Sequence, residues 1–307
     1  MTMFKPEGAL INKKENRLYL KDLNGLREAY KKEIILEAKA DVCTSSHDLI
    51  VNLGFCRGLI PRAEGAIGIA DGSARDIALI SKVNKPVSFV ITDFKTDNDG
   101  NITPILSRRK AQEKCVSQYL SRLKNGDIID AAITHLEPFG AFVDIGCGVP
   151  SLLPIDAISV SRISHPSDRF LVGDFIRVIV KGRESESRIN LSHKELLGTW
   201  EENASFFSPG ETVSGIVRSV ESYGIFIELT PNLAGLAEPK EDVYVGQQAG
   251  VYIKNIIPDK MKVKLIVVDS FDSFYEPKPI NYFCKENHID YWQYSPDFCE
   301  KNICTNF

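Results

Sequence analysis

Internal repetition constrains this chain more than any other feature of its 307 residues. Three stretches share one pattern: HDLIVNLGFCRGLIPRAE from His47, FGAFVDIGCGVPSLLPIDAIS from Phe139, and YGIFIELTPNLAGLAEPKE from Tyr223. In each, apolar residues alternate up to Gly54, Gly146 or Thr230, a loop follows, and a second short apolar run begins. Alternation with period two puts side chains on opposite faces of an extended chain, which is the mark of half-buried strands and not of helices. Further runs of the same kind lie upstream (IILEAKADVCT, DIIDAAITHLEP, ETVSGIVRSVES) and downstream (PVSFVITDF, FIRVIVKG, AGVYIKNIIP). Each downstream run is followed by a short turn and a last strand. A unit recurring at this scale is one supersecondary block used three times.

Five strands per unit is the count of an OB-type barrel. The pattern therefore predicts an all-β chain of tandem five-stranded OB-fold barrels joined by short helices. The boundaries read as a peripheral N-terminal segment over 1–32 and barrels over 33–110, 124–200 and 205–270. An aromatic- and cysteine-rich tail over 271–307 is expected to pack on the last barrel. Ser107 is placed to cap a helix in RRKAQEKCVSQYL, and Ser192-His193-Lys194-Glu195 has the spacing of a capping box. Asp99-Gly100 is a hairpin dipeptide. Asp97, Asp99 and Asn101 beside it lack the distant glutamate of a calcium loop and read as a turn.

Composition removes several classes of function. A chain 43% hydrophobic and 25% charged is ordinary globular material. No window approaches the ~18 apolar residues of a membrane span, and the N-terminus lacks the apolar core of a secretory signal. Seven cysteines, an odd and scattered set, suit reduced thiols, so the cytoplasm is the expected compartment. Cys284, His288, Cys299 and Cys304 hold enough donors for one zinc. Their spacing matches no common finger, and packed thiols with no metal and no cofactor are expected. There is no glycine-rich phosphate loop, no His-Glu-x-x-His and no Gly-x-Ser-x-Gly, so the chain reads as non-enzymatic. The net charge of −4 argues against bulk attraction to phosphate. Any nucleic acid must be held by local cations and by base stacking.

The middle repeat resembles the S-one (S1) RNA-binding domain family, named after the largest protein of the bacterial small ribosomal subunit. The residues that carry the resemblance are Gly126-Asp127, Pro138 to Gly146 (PFGAFVDIG), SLLPIDAIS, His165 to Asp168 (HPSD), Val172 to Val180 with Gly173-Asp174, and Arg188 to Ser192 (RINLS). The third repeat is similar through PGETVSGIVRSVESYGIFIEL, GLAE and KVKL, and the first only in outline. The family lays RNA across one barrel face, on two aromatics, a histidine, an acid and an arginine. By resemblance the RNA-binding set is Phe139, Phe142, Glu184 and Arg188 in the middle repeat and Tyr223, Phe226 and Lys262 in the third. Pro154 and Glu238 stand where the family has its histidine, and His47 and Ile50 occupy the aromatic positions of the first repeat.

The physics agrees with the resemblance. Every base has a π-face, so an exposed ring stacks any unpaired base for ~1–3 kcal/mol. The implied partner is single-stranded RNA, mRNA or rRNA, with the small ribosomal subunit as a further candidate. A strand phenylalanine taken alone is more often core than platform, and Phe142 and Phe226 are the members expected to be the more buried. The rival reading is a protein-interaction scaffold built on the same barrels.

Overall fold

A computed structural model describes residues 4–185, 188–272 and 279–307. The first three residues of the N-terminal segment and residues 273–278 of the tail lie outside the described residues. β1 (Leu36–Cys43), β2 (Leu49–Asn52), β3 (Arg57–Ile60), β4 (Pro86–Thr96) and β5 (Ile102–Ser107) close into a barrel of order β1-β2-β3-β5-β4. β6 (Ile128–Glu137), β7 (Gly140–Asp144), β8 (Pro150–Pro154), β9 (Phe175–Arg183) and β10 (Ile189–Ser192) form a five-stranded sheet of order β10-β9-β6-β7-β8. Its two edges meet where the Ser151 hydroxyl donates to the Ile189 carbonyl at 2.5 Å. β11 (Thr212–Glu221), β12 (Gly224–Thr230), β13 (Leu233–Ala237), β14 (Gln248–Ile257) and β15 (Lys262–Phe271) close a last barrel with the order of the first. The expected class, all-β and built of tandem five-stranded OB-type units, is the observed one. β16 (Tyr291–Gln293) and β17 (Cys304–Asn306) pair within the tail.

The helices are short: α1 (Lys14–Tyr19), α2 (Leu23–Lys31), α3 (Ile77–Ile80), α4 (Arg108–Gln118) and α5 (Trp200–Ala204). Ser107 caps α4, its hydroxyl accepting from the Lys110 amide. After β10 the capping box lies later than the Ser192 spacing suggests. Ser192, the last residue of β10, donates to Glu195 at 2.5 Å, and the single 3-10 turn Lys194–Leu197 that holds Glu195 ends at Gly198, φ +85°. The box that opens α5 is Thr199 with Glu202. Asp97 accepts the Asp99 and Asn101 amides around Gly100, so the turn reading of that stretch is the observed one.

Buried charge ties the units together. Glu7 of the N-terminal segment bonds Arg108 at 2.6 Å and Lys82 at 2.7 Å, while its own amide donates to Asp144 of the middle barrel. Burial alone would raise the Glu7 pKa, but the two cations hold it down to about 2. The Gly8, Leu10 and Ile11 amides all donate to Glu37 of β1, whose burial still pushes its pKa up to about 7. Between the middle and last barrels, Glu228 bonds Arg169 at 2.6 Å and Arg218 at 2.8 Å, and Arg218 also pairs with Asp168 at 3.2 Å. The tail packs on both barrels. Trp292 and Tyr294 join the core of the last one, and Tyr282, Cys284 and Phe307 lie against Ile128, Ile179 and Leu196 of the middle one. His193 is sealed beneath it, bonded to the Ile158 carbonyl and Tyr282, and desolvation lowers its pKa to about 4.

Candidate nucleic-acid interface

Pairing of Glu137 with Gly140, and of Glu221 with Gly224, leaves two-residue turns whose second members are Phe139 and Tyr223. A turn residue escapes the alternation of a strand, so each ring can reach the face on which the strand residue three positions on is displayed. Phe139 meets Phe142 edge to face at 6.0 Å between centroids, and Tyr223 meets Phe226 at 6.2 Å. Phe139 is 55% exposed and Tyr223 66%, whereas Phe142 and Phe226 are half-buried. The glycines of these motifs serve close approach. A Cβ on Gly140 would stand 2.5 Å from the Leu153 carbonyl oxygen, and one on Gly224 2.7 Å from that of Ala237.

Register defines the rest of the face, because residues paired across neighbouring strands point to the same side. The first strand of every unit shifts register at one place: Ala40/Val42, Ile133/His135 and Val217/Ser219. The residue after the shift pairs with the strand-two aromatic position. In the last barrel one row therefore reads Ser219, Phe226, Leu236, Lys264. In the middle barrel it reads His135, Phe142, Leu152, and Asn190 is the counterpart of Lys264. In the first it reads Val42, Ile50, Leu59, Ile105, four aliphatics with no ring.

Lys262 is exposed and stands two residues before Lys264 on the same side of β15. Arg188 bears the same relation to Asn190 and is exposed at the β9–β10 connection, where its carbonyl accepts from the Glu184 amide at 2.9 Å. Glu184 is exposed beside it. The sequence reading missed three members of these faces. His135 stacks on Phe142 with centroids 6.4 Å apart and planes 27° apart. Its parity is hidden by the register shift. Lys264 was legible from the alternation in KVKL. Lys254 reaches within 3.9 Å of Glu238 and has no counterpart in the motif. In the first barrel His47 lies 3.8 Å from Asp76, which also pairs with Arg62. Among the described residues no set of three or more histidine, cysteine, aspartate or glutamate side chains is grouped to hold a metal ion.

Residues 122–194, which span the middle barrel and its aromatic hairpin, match the family model of the S1 RNA binding domain. The chain carries an S1 domain. The chain is similar in sequence to the small ribosomal subunit protein bS1 of Leuconostoc lactis, at 30% identity over 72% of this chain and 50% of that one. The bS1 protein of Staphylococcus epidermidis is 28% identical over 85% of this chain and 68% of its own length. The chain thus spans about half to two thirds of these relatives, which are named as ribosomal proteins and not as enzymes. A solved multidomain protein with nucleic acid binding domains from Streptococcus pneumoniae overlaps 78% of this chain and 75% of its own, at 14% identity and a TM-score of 0.25. No described helix of the S1-containing chain is long and apolar enough to cross a membrane.

Proposed function

We propose that the middle and last barrels bind single-stranded RNA by stacking unpaired bases on Phe139/Phe142 and Tyr223/Phe226, without catalysing a reaction. The observation that carries this is the same ring pair on the same hairpin of two barrels, with the outer ring more than half exposed in each. Arg188 in one barrel and Lys262 with Lys264 in the other supply phosphate contacts beside the rings, and Glu184 shapes the edge of the first of these patches. Unpaired bases can splay onto such a face, whereas an A-form duplex keeps them stacked inside. The bS1 relatives point to mRNA or rRNA as the ligand and to translation in the cytoplasm, with the small ribosomal subunit as the larger partner.

The first barrel serves another purpose in this reading, since its aliphatic row offers no platform for a base. That row favours protein contact, which keeps the scaffold reading in play for this unit. Titrating a labelled unstructured 20-nucleotide RNA at two salt concentrations tests the proposal. Binding should be lost on removing Phe139 and Tyr223 together and unchanged in His47→Ala. No binding by the intact protein at low salt would leave the scaffold reading ahead.

A further inference from the structure

The outer face of the last barrel continues past the row described above onto β14. Tyr252 pairs with Ile266 of β15 and Thr212 of β11, and it is 38% exposed. Register identifies its counterparts in the other two units. They are Val90, paired with Ser107, and Ile179, paired with Ser192. Both counterparts are sealed. Val90 packs in the cluster that holds Ala111 of α4, and Ile179 lies under Leu196 and the tail. In those units the fifth strand ends at a serine that anchors the segment covering it. Ser107 caps α4, and Ser192 bonds Glu195. The last barrel has Ile266 at that position, which can cap nothing, and β15 runs on to Phe271. Its face is therefore not a helix seat. It is an open strip of sheet with an aromatic where the other barrels have buried aliphatics.

The strip joins the proposed RNA face without a break. Lys264 precedes Ile266 by two residues on the same side of β15, and Lys254 reaches toward Glu238, the residue after β13, at 3.9 Å. By way of β13 and β15, the path from Phe226 to Tyr252 is three strand spacings across and two residues along, about 16 Å measured over the barrel surface. A lysine-lined gap of that length between two rings suits a strand of several nucleotides, in keeping with the ~4–16 covered by one OB fold. We propose that Tyr252 is a second stacking platform on the last barrel, so that single-stranded RNA runs from Tyr223/Phe226 across Lys264 and Lys254 to Tyr252. The inference rests on the single-stranded RNA reading above.

The test uses the full chain and a labelled unstructured 20-nucleotide RNA. Tyr252→Leu keeps apolar bulk but has no π-face, and it should weaken binding about five- to 150-fold while leaving the melting temperature unchanged. Tyr252→Phe should bind as the wild type does. Affinity of Tyr252→Leu within twofold of wild type, with Tyr223→Ala still defective, overturns the second platform and leaves the stacking reading standing. Failure of the wild-type chain to bind this RNA overturns the RNA reading and this inference with it.

Discussion

Truncating Phe139 separates a stacking platform from a core residue by magnitude. Slightly under half of the residue is covered in the folded chain. A phenylalanine side chain offers ~200 Å² to burial, so Phe139→Ala uncovers ~90 Å² and costs about 2 kcal/mol of folding stability at ~25 cal/mol/Å². The retained β-carbon and a compact unfolded chain reduce this to about 1–1.5 kcal/mol, a fall of about 2–6 °C in melting temperature. The loss in RNA affinity should equal or exceed this: ~1–3 kcal/mol for the missing stack, or about five- to 150-fold. Phe139→Leu distinguishes the two effects, because it restores most of the apolar contact and none of the π-face. It should melt within about 2 °C of wild type yet bind RNA as poorly as the alanine variant. Fluorescence anisotropy with a labelled 20-nucleotide RNA, beside a thermal melt, reads both. Wild-type affinity in Phe139→Leu would refute the stacking argument, and a fall of more than about 10 °C in Phe139→Ala would show that the ring is core.

Four further outcomes are expected. With Arg188, Lys254, Lys262 and Lys264 as the phosphate contacts, log K against log salt should slope about −3, and a slope steeper than about −5 would reveal a basic track elsewhere. Glu228→Gln leaves Arg169 and Arg218 buried against a neutral group and should lower stability by about 3–5 kcal/mol in a urea titration, the reasoning failing if the loss is under 1 kcal/mol. The folded pKa of His193, about 4, lies below its unfolded value of about 6.5, so its neutral form contributes stability above pH 6.5 that is lost as pH falls toward 4. Glu37, raised to about 7, runs the opposite way, its contribution falling as pH rises from about 4 to 7, so the comparison must be wild type against His193→Asn, which should lose about 3 kcal/mol of that pH dependence. Finally, a strong chelator should leave the melting temperature unchanged, and a stoichiometric zinc whose removal lowers it would contradict the packed-thiol reading of the tail.

The sequence alone determined the strands, their grouping into three units of five, and the recurrence of an aromatic-Gly-x-Phe hairpin in two of them. These are readable because alternation, turn dipeptides and caps are local: Asp99-Gly100 and Ser107 act within four residues of themselves. The tertiary structure decided what pairing across distant strands decides. A one-residue register shift in β6 brings His135 onto the face of Phe142, and no local period records such a shift. Tyr252 and Ile179 occupy equivalent strand positions, yet one is open and the other sealed, because only the middle unit has Leu196 and the tail over it. Glu7 likewise carries no signal in its neighbourhood, since the two cations that hold its charge, Lys82 and Arg108, lie 75 and 101 residues further on. The burial that makes such a charge need its partners exists only once the first two barrels have closed around it.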